Sequence, residues 1–425
     1  MTLDMPKTNE SINPPGARLS RRWAIFLVTA ALFVLSQFYR VTIAVITPQL
    51  IADLSLSTKD LGLMSAAFFY AFATMQIPIA IYLDRIGAKA TMLGLNLIAV
   101  AGAVIFATAQ SPQMLISARV FLGIGMAANL MGTFKLISSL FAPSQFATLT
   151  TIVLSLGSAG NIFATTPLVL LVQAIGWRFA FGCVAGVNLT LTLVLFVSLR
   201  GIPAQVTDSI DTSRLNLNLK NTLLSIGSLF KIKDYWIISF STFCRYGIYA
   251  AIQALYAGPF LINVMGLSAM ETGNVLLCMN LGFICCGPIW GTLSDRVFKT
   301  CKWIIIPGVC GMAAVLSLLA FLPTGTGVWS LAIIFGALGI FNSTGGIMYT
   351  HIKEKMPLEK TGLATTGVNF FTMIGPAIFL QGLGLFMQHV RPHNALSGPA
   401  FHSMFILCGL CLIIVAAAYL FTIDR

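Results

Sequence analysis

The sequence predicts an all-α membrane protein with twelve transmembrane helices in two pseudo-symmetric six-helix bundles. Three observations lead to this fold class: the composition, the length of the apolar segments and an internal repeat. Of the 425 residues, 57% are hydrophobic and only 9% are charged, whereas soluble domains carry about 25% charged residues. The composition therefore excludes a soluble enzyme, a nucleic-acid-binding protein and a disordered chain.

The apolar residues form segments long enough to cross a membrane. About 20 apolar residues in a helix span a hydrocarbon core of roughly 30 Å, and the sequence lacks the alternating pattern of a membrane β-barrel. The predicted spans, numbered one to twelve, are 23–52, 60–82, 89–109, 113–139, 146–173, 177–199, 234–263, 270–293, 302–322, 327–351, 361–388 and 399–422.

The basic residues predict the orientation of these spans. Cytoplasmic loops of membrane proteins are enriched in Lys and Arg. With both termini in the cytoplasm, most of the 25 basic residues lie on the cytoplasmic side, and only Lys59, Arg119, Arg178 and Arg391 lie on the outer side. The short loops are typical of a bacterial inner-membrane protein, which is the location we predict.

A polar segment and an internal repeat divide the chain into two halves. Three pairs of positions share one constant offset: Asp84 with Asp295, Ser57 with Ser268, and Gly62 with Gly273. The predicted parts are a cytoplasmic tail 1–22, an N-terminal six-helix bundle 23–199, a cytoplasmic linker 200–233 and a C-terminal six-helix bundle 234–425. Two equivalent bundles are expected of a carrier whose binding site lies between the halves.

The two cytoplasmic loop motifs carry a resemblance to a known family. Gly291-Thr-Leu-Ser-Asp295-Arg296-x-x-Lys299 is similar to the G-x-L-x-D-R-x-G-R/K signature of the major facilitator superfamily, and Ala80-x-Tyr-Leu-Asp84-Arg85-x-Gly87-Ala-Lys89 is a degenerate copy. Arg119-x-x-x-Gly123-x-Gly125 resembles the second signature of that family. The resemblance implies a transporter that works by alternating access. We predict no enzymatic activity, no catalytic residues, no metal site and no cofactor.

The duplicated loop predicts a gate. Each acid, Asp84 or Asp295, can face the positive N-terminal end of a helix in the other half, and such contacts would hold the cytoplasmic side closed. The predicted gating residues are Asp84, Arg85, Asp295, Arg296 and Arg119. The alternative for the two acids is that they only cap turns, and for Arg119 a structural role is the favoured interpretation.

Three cations are predicted to lie at membrane depth: Arg40, Arg245 and Lys135. Ionisable residues at this depth are costly and indicate a functional site. All 13 acidic residues fall in loops, tails or span ends, so none can neutralise these cations. An anionic ligand is therefore the favoured explanation, because an arginine guanidinium can bind a carboxylate or phosphate with two parallel hydrogen bonds.

The surroundings of these cations resemble those in the organophosphate:phosphate antiporters, such as the glycerol-3-phosphate transporter. Arg40 precedes Pro48 by eight residues, and Arg245-Tyr246-Gly247-Ile248 looks like the motif around the arginine in span seven of that family. Lys135 stands where the family has a binding histidine. The resemblance implies that these three positions bind the substrate anion, with Lys in place of His.

The function that these features predict is a secondary active transporter of a small organic anion, phosphorylated or carboxylated. The polar residues expected to complete its substrate site are Gln37, Tyr39, Tyr70, Gln76, Tyr249, Gln253, Asn342, Tyr349 and Asn369. Packing against other helices or lipid is the alternative for the aromatic residues. Snorkelling to the interface is the alternative for Lys135, and bonding to main-chain carbonyls is the alternative for the two arginines.

Two other functions stay open: an efflux carrier for an amphipathic drug or siderophore, and a membrane anion sensor that does not transport. The expected partners are the lipid bilayer, a small anionic substrate and, for coupling, a proton or a counter-anion. We expect a monomer that does not bind nucleic acid. The absence of acids from the spans argues against proton coupling through a carboxylate.

Overall fold

The computed structural model describes residues 19–200, 232–356, 358–392 and 394–424. The described residues form helices joined by short turns, without strands, which confirms the predicted fold class. Most of the predicted tail 1–22 and linker 200–233 lies outside these residues. Within them, eleven helices are long and apolar enough to cross a membrane, and the helix in the place of predicted span two is also long enough, with 28 residues.

Twelve helices of the described chain follow the twelve predicted spans. They are α1 (Leu19–Val41 and Ile43–Leu54), α2 (Thr58–Arg85), α3 (Gly87–Ala107), α4 (Pro112–Met126 and Asn129–Leu140), α5 (Pro143–Phe163 and Thr166–Ile175), α6 (Trp177–Leu199), α7 (Lys233–Val264), α8 (Ala269–Val297), α9 (Lys302–Ala320), α10 (Val328–Asn342 and Gly345–Lys355), α11 (Leu358–Val390) and α12 (Gly398–Tyr419).

The sequence repeat corresponds to two equivalent helix starts. The Ser57 hydroxyl caps α2 by accepting from the main-chain N–H of Asp60, and the Asp60 carboxylate accepts in return from the main-chain N–H of Ser57. Ser268 and Glu271 form the same capping box at the start of α8. A capping box satisfies two main-chain donors that have no partner inside the helix, and this fixes where both helices begin.

Several helices are interrupted near the middle of the bundle. α4 breaks between Met126 and Asn129, and α10 breaks between Asn342 and Gly345. An interruption leaves main-chain carbonyls without partners inside their own helix. These carbonyls are therefore available to side chains from neighbouring helices, and buried arginines use them, as described below.

The two ends of the bundle are defined by the chain segments that lie there. The terminal face holds the start of α1 and the end of α6, where Arg21 Nε donates to the Ser198 carbonyl at 2.9 Å. The far face holds the turns from α1 to α2 and from α7 to α8. Towards the far face, α2 packs on α11, with Gly62 against the main chain at Leu380.

A second contact between the halves, equivalent to the first, joins α5 and α8 near the far face. Gly273 of α8 packs against Thr166, and the Thr166 hydroxyl donates to Asn274 Oδ1 at 2.8 Å. Gly62 and Gly273, paired by the sequence repeat, thus make equivalent contacts in the two halves. Each lies against the main chain of the opposite half, where a side chain would collide.

The predicted loop positions of the signature residues are wrong. Asp84 and Arg85 lie in the last turn of α2, and only Ile86 separates α2 from α3. Asp295 and Arg296 also lie on a helix, because α8 continues to Val297 through a final segment of π-helix, Leu293–Val297. The wider π turn keeps the main chain hydrogen-bonded beyond the predicted end of the span.

Candidate functional site

Arg40 lies at the centre of the molecule, where the two halves meet. It comes two residues before the break in α1, and its side chain is buried, with 8% exposed. The guanidinium carbon lies 4.5 Å from the centre of the Phe72 ring in α2, and Nη1 lies 4.0 Å from Met373 Sδ in α11. Tyr246 of α7 is within hydrogen-bonding reach. Arg40 Nε has no partner.

Arg245 of α7 is held by the break in α10. Its side chain is 4% exposed, and Nη1 donates to both the main-chain carbonyl and the side-chain Oδ1 of Asn342, at 2.5 Å each. Nη2 lies over Gly345, where a Cβ would come within 1.6 Å of it. Only glycine therefore leaves room for the guanidinium. Arg245 Nε is buried and has no partner among the described residues.

Hydroxyl groups surround the two arginines on the side of the C-terminal half. The Tyr349 hydroxyl of α10 lies 2.9 Å from Thr372 Oγ1 and 3.3 Å from Asn369 Oδ1, both in α11, and can donate its one hydrogen to either oxygen. Tyr349 and Tyr246 both lie near Arg245. These hydroxyls place neutral donors and acceptors beside the cations.

Three residues at this centre were not among the predicted site residues: Tyr246, Thr372 and Met373. Tyr246 directly follows Arg245 in the Arg-Tyr-Gly-Ile motif, and that position was the signal that could have selected it. Thr372 and Met373 lie in a long apolar helix, and their sequence gives no sign that they face a cation.

Other predicted site residues flank the arginines. Gln37 Oε1 and Tyr39 Oη of α1 are buried, and no described group bonds to them, whereas Tyr249 of α7 is within hydrogen-bonding reach of Asn342. Hydroxyl and amide groups buried in this way are costly unless a partner satisfies them. Their contact with a substrate stays a prediction.

The remaining polar candidates make contacts of their own. Tyr70 donates to Gln381 Oε1 of α11 at 2.9 Å, in a contact between the halves. Gln253 donates to Asn280 Oδ1 of α8 at 2.6 Å. Gln76 donates to the carbonyl of Phe72, one turn earlier in its own helix, at 3.4 Å. The structure thus does not place these three side chains as a group around the arginines.

Lys135 lies towards the terminal face. Its ammonium group donates to the main-chain carbonyl of Leu83, one residue before the signature acid of α2. The structure therefore brings Lys135 together with the end of α2, and its contact with a substrate stays a prediction.

Arg119 ties three helices of the N-terminal half together. It is 1% exposed, its Nη1 donates to the Tyr39 carbonyl at 2.5 Å, and its Nε donates to the Met64 carbonyl at 3.4 Å. Its guanidinium also stacks on Phe68, 4.7 Å from the ring centre. Two main-chain acceptors and a ring face contact this cation, and only its Nη2 lacks a partner among the described residues, in keeping with the favoured structural role.

The predicted gating contacts stay predictions. The side chains of Asp84 and Arg85 lie outside the described residues. Asp295 and Arg296 are exposed at the end of α8.

The three buried arginines lack acidic partners within the part of the chain that the structure describes. No carboxylate lies within ion-pair distance of Arg40, Arg119 or Arg245, whereas Arg178 at the far face is paired with Asp53. A buried cation without a counter-charge is costly. An anion with several acceptor oxygens can neutralise Arg40 and Arg245 and satisfy their free Nε donors.

The fold and these buried cations define a membrane transporter for a small molecule. A family model described as Major Facilitator Superfamily matches residues 25–380, and the chain belongs to that family.

The relatives of the chain include transporters of organic anions. It is 22% identical over 377 residues to the probable sulfoacetate transporter SauU of Cupriavidus necator, with 85% of this chain and 87% of that protein covered. It is also 22% identical over 393 residues to the probable galactarate/D-glucarate transporter GudP of Bacillus subtilis, with 86% of each covered.

Among solved structures, the chain is similar to a bacterial homolog of the human lysosomal transporter Spinster in an inward-facing, unoccupied conformation. The TM-score is 0.72 at 17% identity, with 95% of this chain and 97% of that one covered. At this identity the likeness shows the shared fold.

Proposed function

We propose that the chain is a secondary active transporter of a small carboxylated, sulfonated or phosphorylated anion, bound between the two halves by Arg40 and Arg245. The observation that carries the proposal concerns two buried arginines from opposite halves. Among the described residues, the Nε donor of each has no partner, and neither guanidinium is paired with a carboxylate. The relatives named for sulfoacetate and glucarate transport support an organic anion.

Alternating access explains why the arginines come from different halves. A ligand that binds both Arg40 in α1 and Arg245 in α7 stabilises arrangements in which the halves are close together around it. In the described residues, Gly62 and Gly273 close the far face, so we infer that the substrate enters this state from the terminal face. With the predicted orientation, that is the cytoplasmic face of a bacterial inner membrane.

Counterflow in proteoliposomes tests the proposal. Vesicles loaded with unlabelled sulfoacetate, D-glucarate or glycerol 3-phosphate should take up the same labelled anion when they contain the wild-type protein. Arg40→Gln and Arg245→Gln should lower this uptake by roughly 100-fold, because each removes one charged partner of a buried anion. Arg178→Gln is the matched control, since this half-exposed arginine is paired with Asp53 at the far face, and it should keep wild-type uptake.

Counterflow also separates the alternatives. A sensor would bind an anion without exchanging it, so binding without counterflow in the wild-type protein contradicts transport. Uptake that is unchanged in both arginine variants contradicts the proposed site. A proton or a counter-anion as the coupling partner is distinguished by imposing a pH gradient on the same vesicles, because only proton-coupled uptake responds to it.

A further inference from the structure

We propose that Asn342 accepts the hydrogen bonds of Arg245 when no substrate is bound, and that a bound anion replaces Asn342 as the partner of Arg245. Loss of the contact between Arg245 and Asn342 then allows α10 to bend at its break. This inference rests on the proposed function and assigns a positioning role to Asn342 within the same site.

Arg245 is held by a single residue through neutral acceptors. The main-chain carbonyl of Asn342 is available because the helix ends there, and its side-chain Oδ1 turns to the same Nη1 atom. A hydrogen bond between a guanidinium and a carboxylate or phosphate joins two opposite charges, whereas in the bond to Asn342 only the donor is charged. An anion at this position is thus a stronger partner for Arg245 than the amide.

Arg245 also keeps a donor for the anion. Its Nε is buried and has no partner among the described residues. A carboxylate or phosphate has enough lone pairs to accept from Nε as well as from Nη1. Arg245 therefore holds a donor that Asn342 leaves unpaired and that an anion can use.

The contact spans the break in α10. Arg245 is bonded to the last residue of Val328–Asn342, and its Nη2 lies on Gly345, the first residue of Gly345–Lys355. Arg245 thereby fixes both sides of the break. When an anion binds the guanidinium of Arg245 and the contact with α10 is lost, the segment Gly345–Lys355 can change direction. Ser343 and Thr344 then act as a hinge between two rigid helical segments.

The equivalent break in the N-terminal half has no such cation. The carbonyl of Met126 in α4 receives only the Ser36 hydroxyl, at 3.4 Å, and Asn129 just after the break pairs with Asn96 at 2.8 Å. The cation contact is therefore specific to α10. Asn129→Ala is a matched control that removes a buried amide beside a helix break without touching an arginine.

Binding of sulfoacetate, D-glucarate and inorganic phosphate to the purified full-length protein tests the inference by calorimetry. Asn342→Ala should lower the Kd of a bound anion by roughly tenfold, because the anion no longer displaces a hydrogen bond to a charged group. Asn342→Asp should raise the Kd by at least about tenfold, because its carboxylate pairs with Arg245. In counterflow, Asn342→Ala should lower both KM and kcat. A purely structural role would weaken binding in both variants.

Hydrogen exchange supplies a readout that needs no anion. Without ligand, Asn342→Ala should speed amide exchange in Gly345–Lys355, Asn342→Asp should slow it, and Asn129→Ala should leave it unchanged in that segment. Equal exchange in the wild type and both Asn342 variants overturns the inference even when none of the three probes binds.

The proposed function and the inference fail in different ways. Anion binding that survives Arg40→Gln contradicts the proposed site, whatever the Asn342 variants do. If the wild type binds an anion and Arg40→Gln abolishes that binding, unchanged Kd values in both Asn342 variants overturn only the inference.

Discussion

Arg119 has more main-chain acceptors than the two arginines that we propose bind the substrate, although its Nη2 also lacks a partner among the described residues. Arg119 has two main-chain carbonyls and the face of Phe68. Arg245 depends on one residue, Asn342, and Arg40 has a ring, a sulfur atom and a tyrosine. Because neutral sulfur and ring partners compensate a buried charge poorly, Arg40 is the cation with the greatest need of an anion.

At the residue scale, the positions of Arg40 and Arg245 inside predicted spans were enough to predict that both side chains are buried. Their partners were less predictable, because they depend on which helices pack together. Asn342 was expected in the site only as a polar residue, and nothing in the sequence indicated that it would bind Arg245. Met373 contacts Arg40 from a position 333 residues away in the chain, and one sequence contains no record of such a distant contact.

A pH-dependent contact is predicted at Asp53, outside the spans at the far face. Its Oδ2 accepts from Trp177 Nε1 at 2.8 Å and from Arg178, and these two hydrogen bonds lower the pKa of the Asp53 carboxyl. A lowered pKa contributes stability that is present above the unfolded value of about 4 and is lost as the pH falls through the folded value.

Asp53→Asn should therefore lower the melting temperature slightly at pH 7, and the difference should begin to shrink as the pH falls below about 4 and vanish below the lowered pKa of the folded protein. The pair is half exposed, so the expected loss is about 1 kcal/mol or less. Thermal unfolding followed by tryptophan fluorescence measures it. Arg178→Gln should cost less, because the Trp177 hydrogen bond remains. A difference that grows towards acidic pH would contradict this assignment.

At the element scale, the residues after α12 complete the start of α9. Cys301 at the N-cap of α9 makes no capping hydrogen bond with its side chain. Instead, Asp424 Oδ1 accepts from the main-chain N–H groups of Cys301 and Lys302, at 3.2 and 3.1 Å. His351 of α10 binds the same tail through the Ile423 carbonyl at 3.0 Å. The tail thus joins α9, α10 and α12.

Removal of this remote cap should loosen the start of α9. Asp424→Ala should destabilise the protein by about 1 kcal/mol, as the loss of other helix caps does, and should speed amide exchange at Cys301 and Lys302. Asp424→Asn should cost less, because its Oδ1 still accepts. Hydrogen exchange with peptide resolution measures both variants. Unchanged protection of these two amides in Asp424→Ala would show that the tail does not cap α9.

Helix positions were predictable from apolar length, and helix ends were less so. The repeat located Ser57 and Ser268, and their capping boxes give the physical reason why α2 and α8 begin there. The end of α8 was predicted too early, because the π turn that carries Asp295 has no signature in hydropathy. Main-chain geometry of this kind depends on the packing of the finished fold.

At the scale of the whole molecule, the described contacts between the halves near the far face are close packing and neutral hydrogen bonds. A Cβ at Gly62 would lie 2.8 Å from the Leu380 carbonyl oxygen of the other half, and one at Gly273 would lie 3.0 Å from Thr166. Among the described residues, the named contacts between α2 and α11 and between α5 and α8 include no ion pair. These contacts between the halves therefore depend on shape rather than on charge.

A larger side chain at Gly62 should hold the far face open. Gly62→Leu forces α2 away from α11, whereas Gly287→Leu, in a part of α8 with no neighbour within 4 Å of the added Cβ, serves as the control. Closure is measured as the yield of cross-linking by a short bifunctional thiol reagent in a double variant, Tyr70→Cys with Gln381→Cys. These two positions are suitable because their native side chains are hydrogen-bonded across the halves. A protease site inserted into the linker 200–233 makes the cross-link visible, since only cross-linked halves stay together after cleavage.

Cross-linking should be lost in Gly62→Leu and kept in Gly287→Leu, with protein lacking the introduced pair as the background for the native cysteines. Because the contacts are uncharged, the yield in otherwise wild-type protein should be the same at 0.1 M and 1 M salt, a range over which exposed ion pairs are screened. A yield that falls steeply with salt would show that charged groups close this face. Equal yields in the two leucine variants would show that the contact at Gly62 does not control closure.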